Sequence, residues 1–143
     1  MILPDVNLLL YAINRNSPFH DRARGWWNDT VSSGSVALCW PVVVGFLRLA
    51  TSRRALRNPL SVDEATQLVE GWLARPNVAL LTATPAHWEV LARLLRTTRT
   101  GGNLTTDAHI AAFAIAHGCV LCSNDADFGR FPGLRWRNPM RPR

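Results

Sequence analysis

LTTDAHIAAFAIAHGCVLCSNDAD, residues 104–127, is the stretch on which the fold turns. Residues 104–117 are apolar and unbroken, which predicts a helix, and Gly118 stops it. Residues 120–122 then read as a short apolar strand. SNDAD follows, carrying turn-forming residues and two carboxylates. Such a unit belongs to an α/β fold with a parallel sheet, in which functional groups gather beyond the carboxyl ends of the strands.

Moving outward towards the N-terminus, the same alternation continues. A glycine-containing loop covers 98–103, and Thr84-Pro85 opens a helix reaching about residue 97. VALL at 78–81 reads as a strand. SVDE at 61–64 is a capping box that starts a helix running to residue 74, before Pro76-Asn77. Pro41 introduces a helix over 42–52, and SVALC at 35–39 reads as a strand. Ser17-Pro18 opens a helix through about residue 31, and residues 6–14 form the first helix after a short apolar opening that stops at Pro4-Asp5. Towards the C-terminus, a turn over 126–130 precedes a last strand at 134–136. With no repeat, linker or low-complexity tract, residues 1–143 are expected to form one α/β domain, with helices on both faces of a mainly parallel sheet.

The 143 residues are 48% hydrophobic and 18% charged, which suits a packed core and argues against disorder. No apolar run approaches the roughly 18 residues of a membrane span, so a soluble, cytoplasmic protein is expected. All 16 basic residues are arginine. The absence of lysine excludes a P-loop lysine, a Schiff-base lysine and the lysine partner of a phosphorylated aspartate. A net charge of +6 suits a polyanionic partner, because guanidinium groups pair bidentately with phosphate. Cys119 and Cys122 form a C-x-x-C, but on a strand their side chains face opposite ways and no second pair exists; they read as ordinary buried cysteines.

Of ten acidic residues, Asp63, Glu64, Glu70 and Glu89 fit solvated faces of amphipathic helices, and Asp21 and Asp29 sit exposed among arginines. Asp5 ends the first strand, Asp107 lies in the first turn of a helix opened by Thr105 or Thr106, and Asp125 and Asp127 follow the last-but-one strand. Singly, each could serve a helix end: Asp107 at the dipole, Asp125 or Asp127 as a cap. Together at one sheet edge they repel one another unless a cation intervenes. Oxygen ligands select Mg²⁺ or Mn²⁺, whose natural chemistry on a polyanion is phosphodiester hydrolysis. Arg48, Arg53, Arg54 and Arg57 could hold RNA phosphates, as could the tail arginines Arg135, Arg137, Arg141 and Arg143. His109, near Asp107, reads more simply as a satisfied or exposed histidine.

DVNLLLYA at 5–12, FLRLAT at 46–51, TTDAHIAAFA at 105–114 and SNDADFGRFPGL at 123–134 resemble the PIN-domain family, and more closely its VapC toxin ribonucleases. The resemblance runs end to end. It implies a three-layer α/β/α PIN-like domain and Mg²⁺- or Mn²⁺-dependent endoribonuclease activity on structured RNA such as tRNA or rRNA. It also implies a homodimer and a VapB-type antitoxin partner. In the family's pattern Asp5, Asp107 and Asp125 match the principal acids and Asp127 an accessory one, while Asn7 and Ser123 match polar positions at the site's edge. One place departs: a glutamate usually precedes the FLR-like segment, and here Gly45 stands there. That leaves open a site with fewer carboxylates, weaker metal binding, recruitment of another group in the glutamate's place, or a catalytically weak or inactive RNA-binding regulatory descendant.

Overall fold

The computed structural model describes residues 1–142, so Arg143 lies outside it. The elements run β1 Ile2–Pro4, α1 Val6–Ile13, α2 His20–Ser33, β2 Val36–Cys39, α3 Trp40–Ala50, α4 Val62–Leu73, β3 Val78–Leu81, α5 His87–Thr98, α6 Leu104–His117, β4 Val120–Cys122, a 3₁₀ helix Ala126–Arg130 and β5 Arg135–Arg137. The five strands form one sheet in the order β3-β2-β1-β4-β5, every pair parallel, between two helical layers. No helix among the described residues is long and apolar enough to cross a membrane.

Burial is greatest in the middle of the sheet, whereas the edge strand β5 leaves Arg135 and Arg137 exposed. Val36, Ala37, Leu38 and Cys39 are all fully buried, a run without alternation that suits a strand covered on both faces. Helix α6 is apolar around most of its circumference, with Ala108, Ile110, Ala111, Ala112, Phe113 and Ala114 buried. Its alanines let α3 and α5 approach closely.

The chain steps one way from β1 to β2 and β3, then crosses to β4 on the other side of β1. The topological switch therefore lies beside β1, where ligands gather in such sheets. Pro4 sharpens it. Asp5 N–H donates to Cys122 O of β4 at 2.8 Å, whereas Ile2 N–H donates towards β2, to Ser35 O. Pro4 falls in Ile2's phase and has no N–H to give. The β1–β2 ladder accordingly pairs only Ile2 with Val36, while β1–β4 pairing continues to Pro4 and Cys122.

Several boundaries differ from the sequence expectation, for local reasons. Helix α2 starts at His20, because Ser17 N–H donates to Asn14 O and Ser17 Oγ accepts from Phe19 N–H, holding the Ser-Pro segment as turns. Helix α3 starts at Trp40, with Pro41 in its first turn where a missing N–H costs nothing. Helix α5 starts at His87, whose N–H donates to Thr84 O at 2.9 Å to close a turn around Pro85. Helix α6 is entered through Asn103 and Leu104, so Thr105 and Thr106 are already helical and neither caps it. Strand β5 sits one residue later, pairing Trp136 with Leu121. The Ser61–Glu64 capping box forms as read, with reciprocal hydrogen bonds of 3.0 Å.

Candidate active site

Asp5 sits where β1 turns into α1. It is 8% exposed and caps the helix: Oδ1 accepts from Val6 N–H at 2.7 Å. Its Oδ2 accepts from the fully buried Ser123 hydroxyl, also at 2.7 Å. Ser123 follows β4, so this bond ties the carboxyl ends of the two neighbouring strands. The same hydroxyl accepts from Asn7 Nδ2 at 3.1 Å and from Asp125 N–H at 3.0 Å. Asn7 and Ser123 are thus structural arms of the Asp5 carboxylate.

Asp125 opens the 3₁₀ helix, and its Oδ1 accepts from Asp127 N–H at 2.9 Å. It is therefore Asp125, and not Asp127, that caps this turn, leaving Oδ2 free of a hydrogen bond within the protein. Asp127 is 47% exposed at its side chain and lies 3.6 Å from Arg130 Nε. Asp107, half-buried on the first turn of α6, faces Asp5 across a cleft of about 630 Å³. Val6, Trp40, Val44, Gly45, Arg48, Thr106 and His109 complete much of its lining. Arg48 thus lines the cleft, whereas Arg53, Arg54 and Arg57 lie exposed in the turns after α3, outside the lining.

Electrostatics binds these acids into one unit. Burial raises the Asp5 carboxyl above its ordinary range, against the bonds from Ser123 and Val6, and the charge of Asp125 adds to the rise. Asp107 is pushed up to about 6, mainly by burial and then by the charges of Asp5, Asp125 and Asp127. Among the described residues no basic side chain pairs with Asp5, Asp107 or Asp125. The donor set is all oxygen and short of positive charge, which fits a hard divalent cation. No three acidic, thiol or imidazole side chains among the described residues close into a direct cage. The fit is of the open kind, in which carboxylates hold the ion partly through water, which also fills its remaining positions.

The PIN domain profile matches residues 2–134 of this sequence. The chain belongs to the PIN-domain family. It is 46% identical to ribonuclease VapC33 of Mycobacterium tuberculosis over 142 residues, 99% of each chain. It is 40% identical to ribonuclease VapC37 of the same species over 140 residues, 97% of each. The fold matches VapBC2 from Rickettsia felis bound to a promoter DNA fragment with a TM-score of 0.68 at 21% identity, covering 96% of this chain and 98% of that one. It also matches M. tuberculosis VapC20, a sarcin–ricin-loop-cleaving toxin, with a TM-score of 0.66 at 18% identity, covering 94% and 99%.

Three features of the PIN cleft escape a reading of single residues. Trp40 is 53% exposed at its rim. Thr106, His109 and Ile110 share the lining, a spacing of three and four residues that marks one helix face and was available from the sequence. Gly45 lies against Val6, so closely that a Cβ there would stand 2.9 Å from Val6 Cγ2.

The raised Asp107 carboxyl has a measurable consequence. The folded PIN domain keeps that proton up to about pH 6, whereas the unfolded chain releases it near 3.8. The stability contributed by Asp107 is therefore present at low pH and lost as pH rises through about 6. In chelator, Asp107→Asn is expected to melt higher than the native chain at about pH 7 and to lose that advantage by about pH 4. His87 and His109, whose pKa values burial lowers, act with the opposite sign but cancel between the two proteins. A melting difference that stays flat with pH would contradict the raised carboxyl.

Proposed function

We propose that this chain is a Mg²⁺- or Mn²⁺-dependent endoribonuclease cutting phosphodiester bonds in structured RNA of the tRNA or rRNA kind, and the toxin of a toxin–antitoxin pair. The observation that carries this is that Asp5 and Asp107 line one cleft, are coupled to Asp125, and form no ion pair with a basic side chain among the described residues. Relatives named ribonucleases along essentially the whole chain support it.

Asp5, Asp107 and Asp125 are the residues to hold the ion, and Asp127 assists from the loop. When bound, the ion supplies Lewis acidity to the scissile phosphodiester and lowers the pKa of the attacking water. The protein's own part is positioning. Ser123 and Asn7 keep Asp5 in one orientation, the α1 N-terminus favours its charged form, and Arg48 on the cleft wall offers a bidentate guanidinium to a neighbouring phosphate. The partners in this reading are RNA, a VapB-type antitoxin that covers the cleft, and a second copy of the chain in a homodimer. Solved relatives that pair VapB with VapC support the antitoxin. The regulatory alternative raised by Gly45 is disfavoured by the 46% identity to a ribonuclease.

The decisive experiment incubates the purified protein with total RNA in Mg²⁺, in Mn²⁺ and in chelator, beside Asp5→Ala. Cleavage confined to the native chain with metal is expected. Cleavage in chelator, or undiminished cleavage by Asp5→Ala, would overturn the mechanism.

A further inference from the structure

His109 stands on the cleft wall with Asp107 but does not serve it. Residues two apart on a helix point to different faces, and the imidazole's hydrogen bond goes elsewhere. Its Nδ1 lies 2.9 Å from Nε2 of His87, the first residue of α5. The rings meet edge to face with centroids 4.9 Å apart, and both rest against Phe113 at 4.5 and 5.1 Å. The packing of α5 on α6 thereby sets both ring planes.

The pair admits one favourable proton arrangement. A hydrogen bond between imidazoles needs one N–H and one bare nitrogen. His87 Nδ1 is buried and without a partner. Were His87 Nε2 the acceptor, the His87 proton would sit on Nδ1 as a buried N–H with nothing to receive it, the costlier kind of orphan. His87 Nε2–H therefore donates and His109 Nδ1 accepts, which places the His109 proton on Nε2. That nitrogen has no partner among the described residues, yet it is not among the buried unpaired atoms, so it is open to solvent on a ring that lines the cleft.

We infer that His109 contacts RNA in this cleft, donating Nε2–H to a phosphate oxygen, and that His87 is the positioning residue that fixes the tautomer. The ligand in this inference rests on the nuclease reading above. Arg48 on α3 and His109 on α6 both line the cleft, so a strand lying in it meets a charged donor and a neutral one. A neutral donor adds a hydrogen bond beside the carboxylates without competing with their cation.

The tautomer is read in the free protein by long-range ¹H–¹⁵N correlation of the histidine rings, independently of any activity. His109 and His87 are both expected with the proton on Nε2, and His109 in His87→Ala as a mixture. RNA contact is read by adding purified tRNA to Asp125→Asn in Mg²⁺, where the His109 Nε2 resonance is expected to shift. In cleavage assays His109→Ala is expected to raise KM about tenfold with kcat little changed. His109→Gln, whose amide N–H reaches a similar place, is expected to recover most of the loss, and His87→Ala to raise KM by a smaller factor. A proton on His109 Nδ1, an unmoved resonance with tRNA, or native KM in His109→Ala each overturns the inference while leaving the nuclease reading intact. Native chain that binds tRNA in Mg²⁺ but cleaves no RNA, together with the shifted resonance in Asp125→Asn, sinks the nuclease reading and supports the His109 contact. Absence of both binding and cleavage overturns the two together.

Discussion

Asp107→Asn is expected to slow RNA cleavage by roughly a thousandfold, about 4 kcal/mol of transition-state stabilisation, in a protein that remains folded. Among the acids this is the cleanest substitution. Among the described residues the Asp107 side chain makes no hydrogen bond on which its neighbours depend, and the amide keeps the shape of the carboxylate. What it loses is the charge on the α6 wall, opposite Asp5. The same charge is the one most strongly opposed by Asp5, Asp125 and Asp127 when no cation is present. Stability and activity should therefore move in opposite directions, as is usual where like charges are held together for function. Asp5→Asn is harder to interpret, since it disturbs the Ser123 hub and the α1 cap at once. Asp127→Asn serves as the graded comparison: half-exposed and next to Arg130, it should cost roughly tenfold or less. Initial rates on a defined RNA at saturating Mg²⁺ measure the series. Cleavage by Asp107→Asn within tenfold of the native rate would remove Asp107 from the site.

Much of this arrangement was readable from the chain. The inner strands are covered on both faces, so they show as unbroken apolar runs such as VALC, and the helices between them follow from capping and glycine stops. Asp5 and Asp125 were placed by the rule that ligands gather beyond strand ends, and both do follow the strands that flank the topological switch. The mistakes lie where local hydrogen bonding outweighs a punctuation signal. Ser17-Pro18 and Thr84-Pro85 both announce a helix, yet the Ser17 hydroxyl and the Thr84 carbonyl each close a turn first. The Ser123–Asp5 bond and the His87–His109 bond join residues 118 and 22 positions apart. No pattern of spacing along one chain encodes such pairs. Gly45 is the intermediate case: its departure from the family pattern was visible, and its cause was not.

That cause is Val6, and it is testable. Val6 follows Asp5 in the first turn of α1, and a Cβ on Gly45 would stand only 2.9 Å from its Cγ2. A β-branched side chain in a helix has essentially one χ1 well, so it cannot swing aside cheaply. Gly45→Glu is therefore expected to destabilise the protein by about 1 kcal/mol net, an overpacking cost of about 2 kcal/mol offset by the roughly 1 kcal/mol gained by removing a mid-helix glycine. Val6→Ala alone should cost about 1 kcal/mol through lost packing. The double variant should be more stable than the sum of the two by about 1–2 kcal/mol, because the clash exists only when both groups are present. It would also set a carboxylate on the cleft wall facing Asp5 and Asp107. Binding of Mn²⁺, followed by calorimetry, should then be tighter than in the native chain, since an added anionic ligand strengthens a hard-cation site. Denaturant melts of the four proteins give the coupling directly. Strict additivity would show that Val6 and Gly45 do not exclude each other. Coupling without tighter Mn²⁺ binding would show that the exchange is steric only, and that the native cluster of aspartates binds its cation without help from α3.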